Sequence, residues 1–258
     1  MKNSTKIFLL NNLFCYSLRP LGLKPSGLFM VVQLLLSGFV MVESKSSAVE
    51  QPAPEHTSAE LSRGEQTRER IIRKSAEVFN VKGYASASIA DVMEATGLQK
   101  GGIYNHFQSK DEIALSAFEY ASQLIAERLI HAIKNAEKHA IARLQAMIHA
   151  FVMYVEEPPL RGGCPVTNAA VESDYAYPEL RPKVREAMDS LRGMIKHLLD
   201  EGIKRRQIKP SVNSDYVATV VIASLEGAVL LTTLYRDRVH LDRVIHFLHE
   251  YCERELAL

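Results

Sequence analysis

SIADVMEATGLQKGGIYN, residues 88–105, predicts two short helices around one tight turn. Ser88 is a good N-cap. Asp91, three residues on, stands where its charge meets the unpaired amides and the positive end of the helix dipole. Ile89, Val92 and Met93 recur at helical spacing and give the segment a stripe to bury. Gly97 falls where the helix must stop, because glycine accepts the left-handed conformation of a C′ position. A second helix restarts at Gln99 and runs to about Phe107. Two helices joined by a short turn containing glycine form a helix-turn-helix, whose second helix enters the major groove of DNA. The expected partner is double-stranded DNA.

The flanks extend the motif. A preceding helix from about Glu65 to Val81 opens with Ser62-Arg63-Gly64-Glu65, which has capping-box spacing. Ile72, Ala76 and Phe79 line one face of it, with Ile71, Ser75 and Val78 beside them. Lys82-Gly83-Tyr84 closes it. Ser109-Lys110-Asp111-Glu112 has the same spacing and starts a fourth helix through Ile113, Ala117, Phe118 and Ala121.

The run TRERIIRKSAEVFNVKGYASASIADVMEATGLQKGGIYNHFQSKDEI, Thr67 to Ile113, resembles the DNA-binding domain of the TetR family of bacterial transcription regulators. The matching elements, in order, are TRERI…A…F, KGY, SIADV, TGLQKGGIYNHF and SKDE, together about a fifth of the chain. The resemblance implies an all-α homodimer: an N-terminal three-helix helix-turn-helix domain followed by a larger helical domain for ligand binding and dimerisation. It also implies that a small molecule bound in that larger domain releases the DNA.

Composition agrees with a folded, all-helical chain: 258 residues, 47% of them apolar, are enough for a substantial core. A net charge of +1 announces no global basic field. Between Arg63 and Lys110 the cations outnumber the acids by eight to five, which suits a few phosphate contacts and equally suits a solvated helix surface. Cys15, Cys164 and Cys252 are too few and too far apart for a disulfide framework or zinc knuckle, and fit a reducing cytoplasm. No glycine-rich phosphate loop, HExxH helix or nucleophile elbow occurs, so no enzyme is expected and no cofactor is assigned.

The expected division is 1–60 as an N-terminal extension, 61–112 as the DNA-binding domain and 113–258 as the ligand-binding and dimerisation domain. Pro25 to Val42 is free of charge and about as long as the shortest membrane-spanning helix. The extension is read as disordered or foreign to the native protein, with a natural start at Met30 or Met41 and a membrane role disfavoured. Beyond Ile113, helices are expected to about Lys138, then 140–156, 166–175, 178–206, 214–235 and 241–256. Pro158, Pro159 and two glycines interrupt them. Val217, Val220, Val221, Ser224, Leu225 and Ala228 form one apolar stripe, and Val244, Phe247, Leu248 and Tyr251 another. Both could face their own core. The resemblance assigns them to a homodimer interface through the last two long helices.

Within the reader, Gln99, Lys100 and Gly102 lie at the N-terminal end of the recognition helix, where side chains meet base edges. Gln99 stands where relatives usually carry serine, and Gly102 where they carry Thr, Ser or Ala. Tyr104, His106 and Lys110 match positions that touch phosphate in the family, and Ser88 and Asn105 complete the candidate DNA-binding set. For an unknown small-molecule effector, Phe118, Phe151, Tyr154 and Tyr175, together with Tyr177 and Met188, could line an aromatic pocket with Asn168 or Glu172 as polar anchors, or could simply be core. Cys164 opens a helix and has two readings: a thiolate sensor activated by the helix N-terminus, or a small buried pocket residue. His246, His249 and Cys252 share a helix face, but a metal site is not expected because no fourth ligand stands nearby. The alternative to a ligand-released repressor is a helical small-molecule-binding or membrane-anchored sensor without DNA-binding activity.

Overall fold

A computed structural model describes residues 62–258; the readings of the extension, including the apolar run 25–42 and Cys15, lie outside the described residues. Nine α-helices follow one another among these residues: α1 Arg63–Lys82, α2 Ile89–Thr96, α3 Lys100–Tyr104, α4 Lys110–Asn135, α5 Ala140–Glu156, α6 Pro165–Tyr175, α7 Arg181–Lys204, α8 Ser214–Tyr235 and α9 Val239–Tyr251. A 3₁₀ turn, Pro178–Leu180, leads into α7, and a wide π turn, Cys252–Leu256, ends α9. No strand is present among the described residues; one isolated bridge joins Ile208 to Ala257.

The caps behave as their residue types require. Ser62 and Glu65 form a reciprocal capping box at α1, and Ser88 and Asp91 form another at α2. At α4 the box is left open. Ser109 Oγ accepts the Glu112 amide at 3.1 Å, whereas the Glu112 carboxylate reaches past the cap to the Gln108 amide at 2.7 Å. Gly97, at φ 68°, ends α2 in the left-handed conformation. α3 is shorter than its sequence pattern, because the His106 and Phe107 amides both turn back to the Ile103 carbonyl. α4 stops three residues early, as His139 must leave the helix to cap α5 through Nδ1.

α1 packs against α2 and α4, and Ile71, Ala76, Phe79, Ile103, Phe107, Ile113 and Ala117 are all buried in this part of the chain. Ile72 and Val78 are only half-buried; Ser75 is buried as expected, and Asn80, not expected there, is buried too. The body is built on α4, α5, α7 and α8, with α9 against α8 and α5. α8, with a mean hydropathy of 2.0, is long and apolar enough to cross a membrane by length and composition alone. Here Val217, Val221, Leu225 and Ala228 turn inward to the body core, which corrects their assignment to the dimer interface. Tyr216, Leu230, Leu231, Leu234, Tyr235 and, on α9, Phe247 are the large apolar side chains of these two helices left exposed. The tail is pinned: the Lys209 amide donates to the Leu256 carbonyl at 2.9 Å and the Leu258 amide to the Gln207 carbonyl at 3.3 Å.

Candidate nucleic-acid interface and effector cavity

α3 buries Ile103, and Phe107 follows it inward, with the Arg68 guanidinium 4.6 Å above the Phe107 ring. That anchorage leaves Gln99, Lys100, Tyr104 and Asn105 exposed together. Gln99 occupies the N-cap without spending its side chain on the cap. Lys100 Nζ lies 5.8 Å from the Tyr104 ring centre, within cation–π range. Gly102 and His106 are half-buried. Two candidates are already engaged. The Ser88 hydroxyl belongs to the α2 cap, and Lys110 donates to the Ala85 carbonyl at 3.1 Å while standing over the Tyr177 ring. Lys82 Nζ lies 2.5 Å from Asp91. That ammonium, with the Ser88 hydrogen bonds, holds the Asp91 carboxyl well below the usual carboxylate range.

Five of the proposed effector residues, Asn168, Glu172, Tyr175, Phe118 and Tyr177, belong elsewhere. Asn168 Nδ2 donates to Asn80 Oδ1 at 3.0 Å and to the Gly162 carbonyl at 2.7 Å. Asn80 Nδ2 in turn donates to the Arg161 carbonyl at 2.8 Å and the Gly163 carbonyl at 3.2 Å. The Glu172 carboxylate accepts the Ala85 amide at 3.0 Å and lies against Gly83. These two polar residues therefore clasp α6 to the end of α1 rather than anchor a ligand. Tyr175, assigned to the pocket, is 90% exposed. α6 turns it outward because Val166, Ala169 and Ser173 take the buried face. Phe118 packs edge-on to Tyr84, which also stacks on Phe79 and Tyr177. Tyr177 donates its hydroxyl to Asp111.

The cavity lies deeper, among α4, α5, α7 and α8, and Leu129, Met147, Ile148, Phe151, Ile195, Val221 and Leu225 wall it. Its volume of about 20 Å³ is close to what one water molecule needs. Phe151 is the predicted residue that lines it. Its polar member is Glu226, which accepts hydrogen bonds from Cys164 and Thr167 at the start of α6. Sequence reasoning missed Glu226, although it is the sole charged residue in Tyr216–Tyr235 and that isolation is a signal. It missed Asn80 too, a polar residue on the inner face of α1 with no sequence sign of its distant partners.

Cys164 is 2% exposed. Burial, and then the Glu226 carboxylate, push its thiol up, the reverse of the shift that a thiolate sensor needs. The helix N-terminus is present, but desolvation outweighs it. Tyr154, also buried, lies close by. Iodoacetamide should therefore leave Cys164 and Cys252 unmodified in the folded protein and label both in urea, as read by peptide mass spectrometry. Rapid native labelling of Cys164 would restore the sensor reading. Among the described residues no three His, Cys, Asp or Glu side chains are grouped to hold a metal ion.

A helix-turn-helix with an exposed recognition helix, carried on an all-helical body with an internal cavity, defines a DNA-binding transcription regulator. Residues 71–117 match the model for bacterial regulatory proteins of the tetR family, and 140–248 the tetracyclin repressor-like C-terminal domain. A TetR transcriptional regulator from Chloroflexus aurantiacus J-10-FL is 41% identical, with a TM-score of 0.73 over 77% of this chain and 100% of that one. A second, from Cytophaga hutchinsonii, is 29% identical, with a TM-score of 0.70 over 78% of this chain and 99% of that one. The transcriptional repressor DhaR of Mycobacterium sp. strain GP1 is 24% identical over 71% of this chain and 90% of its own length. The chain belongs to the TetR family of transcriptional regulators. A sensor that lacks a DNA reader is not favoured, since residues 71–117, from within α1 through the helix-turn-helix to α4, match the family model.

Proposed function

We propose that this regulator is a cytoplasmic repressor, not an enzyme, that grips an inverted-repeat operator as a homodimer and lets go when a small molecule enters the cavity. The observation that carries the reading is the double attachment of α6. One side of it holds the reader through Asn168 and Glu172, and its N-terminus holds the cavity through Cys164, Thr167 and Glu226. An occupant that disturbs Glu226 moves α6, and α6 moves the reader. The name of DhaR supports the repressing direction. The two domains divide at 112/113, with the reader beginning at 61.

Gln99, Lys100 and Gly102 are assigned to base edges; Tyr104, Asn105, His106, Lys110 and Ser88 are assigned to the backbone around them. Lys110 exchanges the Ala85 carbonyl for a phosphate on binding. The two readers of a dimer joined through the exposed faces of α8 and α9 should meet half-sites about one helical turn apart, roughly 34–36 Å, or a multiple of that. Gel shifts on the DNA upstream of its own and neighbouring genes test the reading, and failure to hold any of it would sink the repressor. On the operator found, Lys110→Ala and Tyr104→Phe should weaken binding to all variants alike. Gln99→Ala should change preference at particular base pairs by about 1–3 kcal/mol. Equal loss on every variant would remove Gln99 from base reading.

A further inference from the structure

Glu226 is half-buried in the wall of an otherwise apolar cavity, on a helix with no other charge between Asp215 and Arg236. A carboxylate offers about four acceptor positions. The Cys164 and Thr167 donors account for two, and no described Lys, Arg or His forms an ion pair with it. Burial pushes its carboxyl up, which is the expected response of an acid with no opposite charge beside it. A desolvated carboxylate kept without a counter-charge is costly, and such groups are ordinarily paired. Ligand sites combine apolar walls with a few placed polar groups. This cavity has the walls and one acid that its own side chains leave incomplete.

We propose that the Glu226 corner is the polar anchor of the effector site and takes a small apolar monocation, an alkyl or aryl amine. The proposal rests on the reading of this cavity as the effector site. The ammonium donates to the acceptor positions that Cys164 and Thr167 leave open and supplies the missing charge. Its apolar body lies against Leu129, Phe151 and Ile195. A neutral isostere leaves the acid unpaired, and a carboxylate ligand meets like charge. The cavity must widen to admit the amine, and Met147, unbranched and adaptable, is the wall that can yield. An ammonium competing for Glu226 also loosens the hold of Cys164 and Thr167, at the N-terminus of the helix that clasps the reader.

The test uses the full-length protein, with 2-phenylethylamine, 2-phenylethanol and 3-phenylpropionate titrated calorimetrically, and gel shifts on the operator run in parallel. The amine should bind at least tenfold more tightly than the alcohol, the acid should not bind, and Glu226→Gln should erase the preference for the amine. The comparison within the wild type needs no variant, so a misfolded Glu226→Gln does not rescue the idea. Alcohol binding as tightly as amine, or no amine binding at millimolar concentration, overturns the proposal. A protein that holds its operator yet prefers the alcohol overturns the cation class and leaves the regulator reading standing. One that binds the amine through Glu226 without releasing DNA supports the site and overturns the effector reading.

Discussion

Gly162→Ala should destabilise the folded chain by about 2–5 kcal/mol and weaken its hold on operator DNA. Gly162 sits at φ 108°, in a region that side-chain-bearing residues rarely adopt. A Cβ there would stand 2.6 Å from the Asn80 carbonyl oxygen and 2.9 Å from its carbon. Both are backbone atoms at the end of α1, so no rotamer change relieves the clash. Either the 157–163 linker or α1 must move, and the Asn80–Asn168 clasp opens with it. Gly163→Ala is the natural control. At φ 85° it carries similar backbone strain, but its Cβ meets nothing within 4 Å, so it should cost only about 1–2 kcal/mol. Denaturant midpoints of the two variants, with DNA titrations alongside, give the answer. Equal losses would remove the contact with Asn80 from the account.

Val221→Asp and Phe247→Asp should part company completely. Val221 is 1% exposed, and an aspartate there places an unpaired charge beside the cavity and on the same helix as Glu226. The loss, about 3–5 kcal/mol, is a large share of the stability of an ordinary domain, so the variant should be unfolded or insoluble. Phe247 is 57% exposed in the single chain. Aspartate at that position should leave each chain folded and, if the outer face of α9 joins two chains, should give a monomer in sedimentation. A Phe247→Asp protein that remains dimeric would move the interface elsewhere. A soluble, cooperative Val221→Asp protein would show that the α8 core tolerates far more than its packing implies.

The two variants also mark where sequence stopped being readable. The reader was legible because each of its boundaries rests on local chemistry: Ser62, Ser88 and Ser109 cap their helices, Gly83 and Gly97 end them, and a short chain brings the parts together. α8 gave its length and its ends but not its facing. A helix apolar on nearly every side offers no contrast to decide which stripe turns inward, and Val217–Ala228 and Leu230–Leu234 look alike on paper. α6 failed for the opposite reason. Asn168 and Glu172 are ordinary polar residues on a short helix, and their partners, Asn80 and Ala85, lie more than eighty residues earlier. Cys164 was placed at a helix start by its Pro165, but its burial, with Glu226 of α8 beside it, comes from tertiary packing that no local pattern encodes.

Two of the five residues of α3, Gly101 and Gly102, present no side chain. A Cβ at Gly101 would meet nothing within 4 Å, and one at Gly102 would meet Leu98 Cβ at 3.7 Å, an ordinary contact. Each glycine weakens the helix by roughly 1 kcal/mol relative to alanine, and no crowding enforces either. The reader is thus a key with two uncut teeth. On the proposed reading of α3, single substitutions there would add side chains facing DNA while leaving the residues of the cavity unchanged. On that reading, the choice of operator and the response to an effector are open to separate change, by selection or by an engineer.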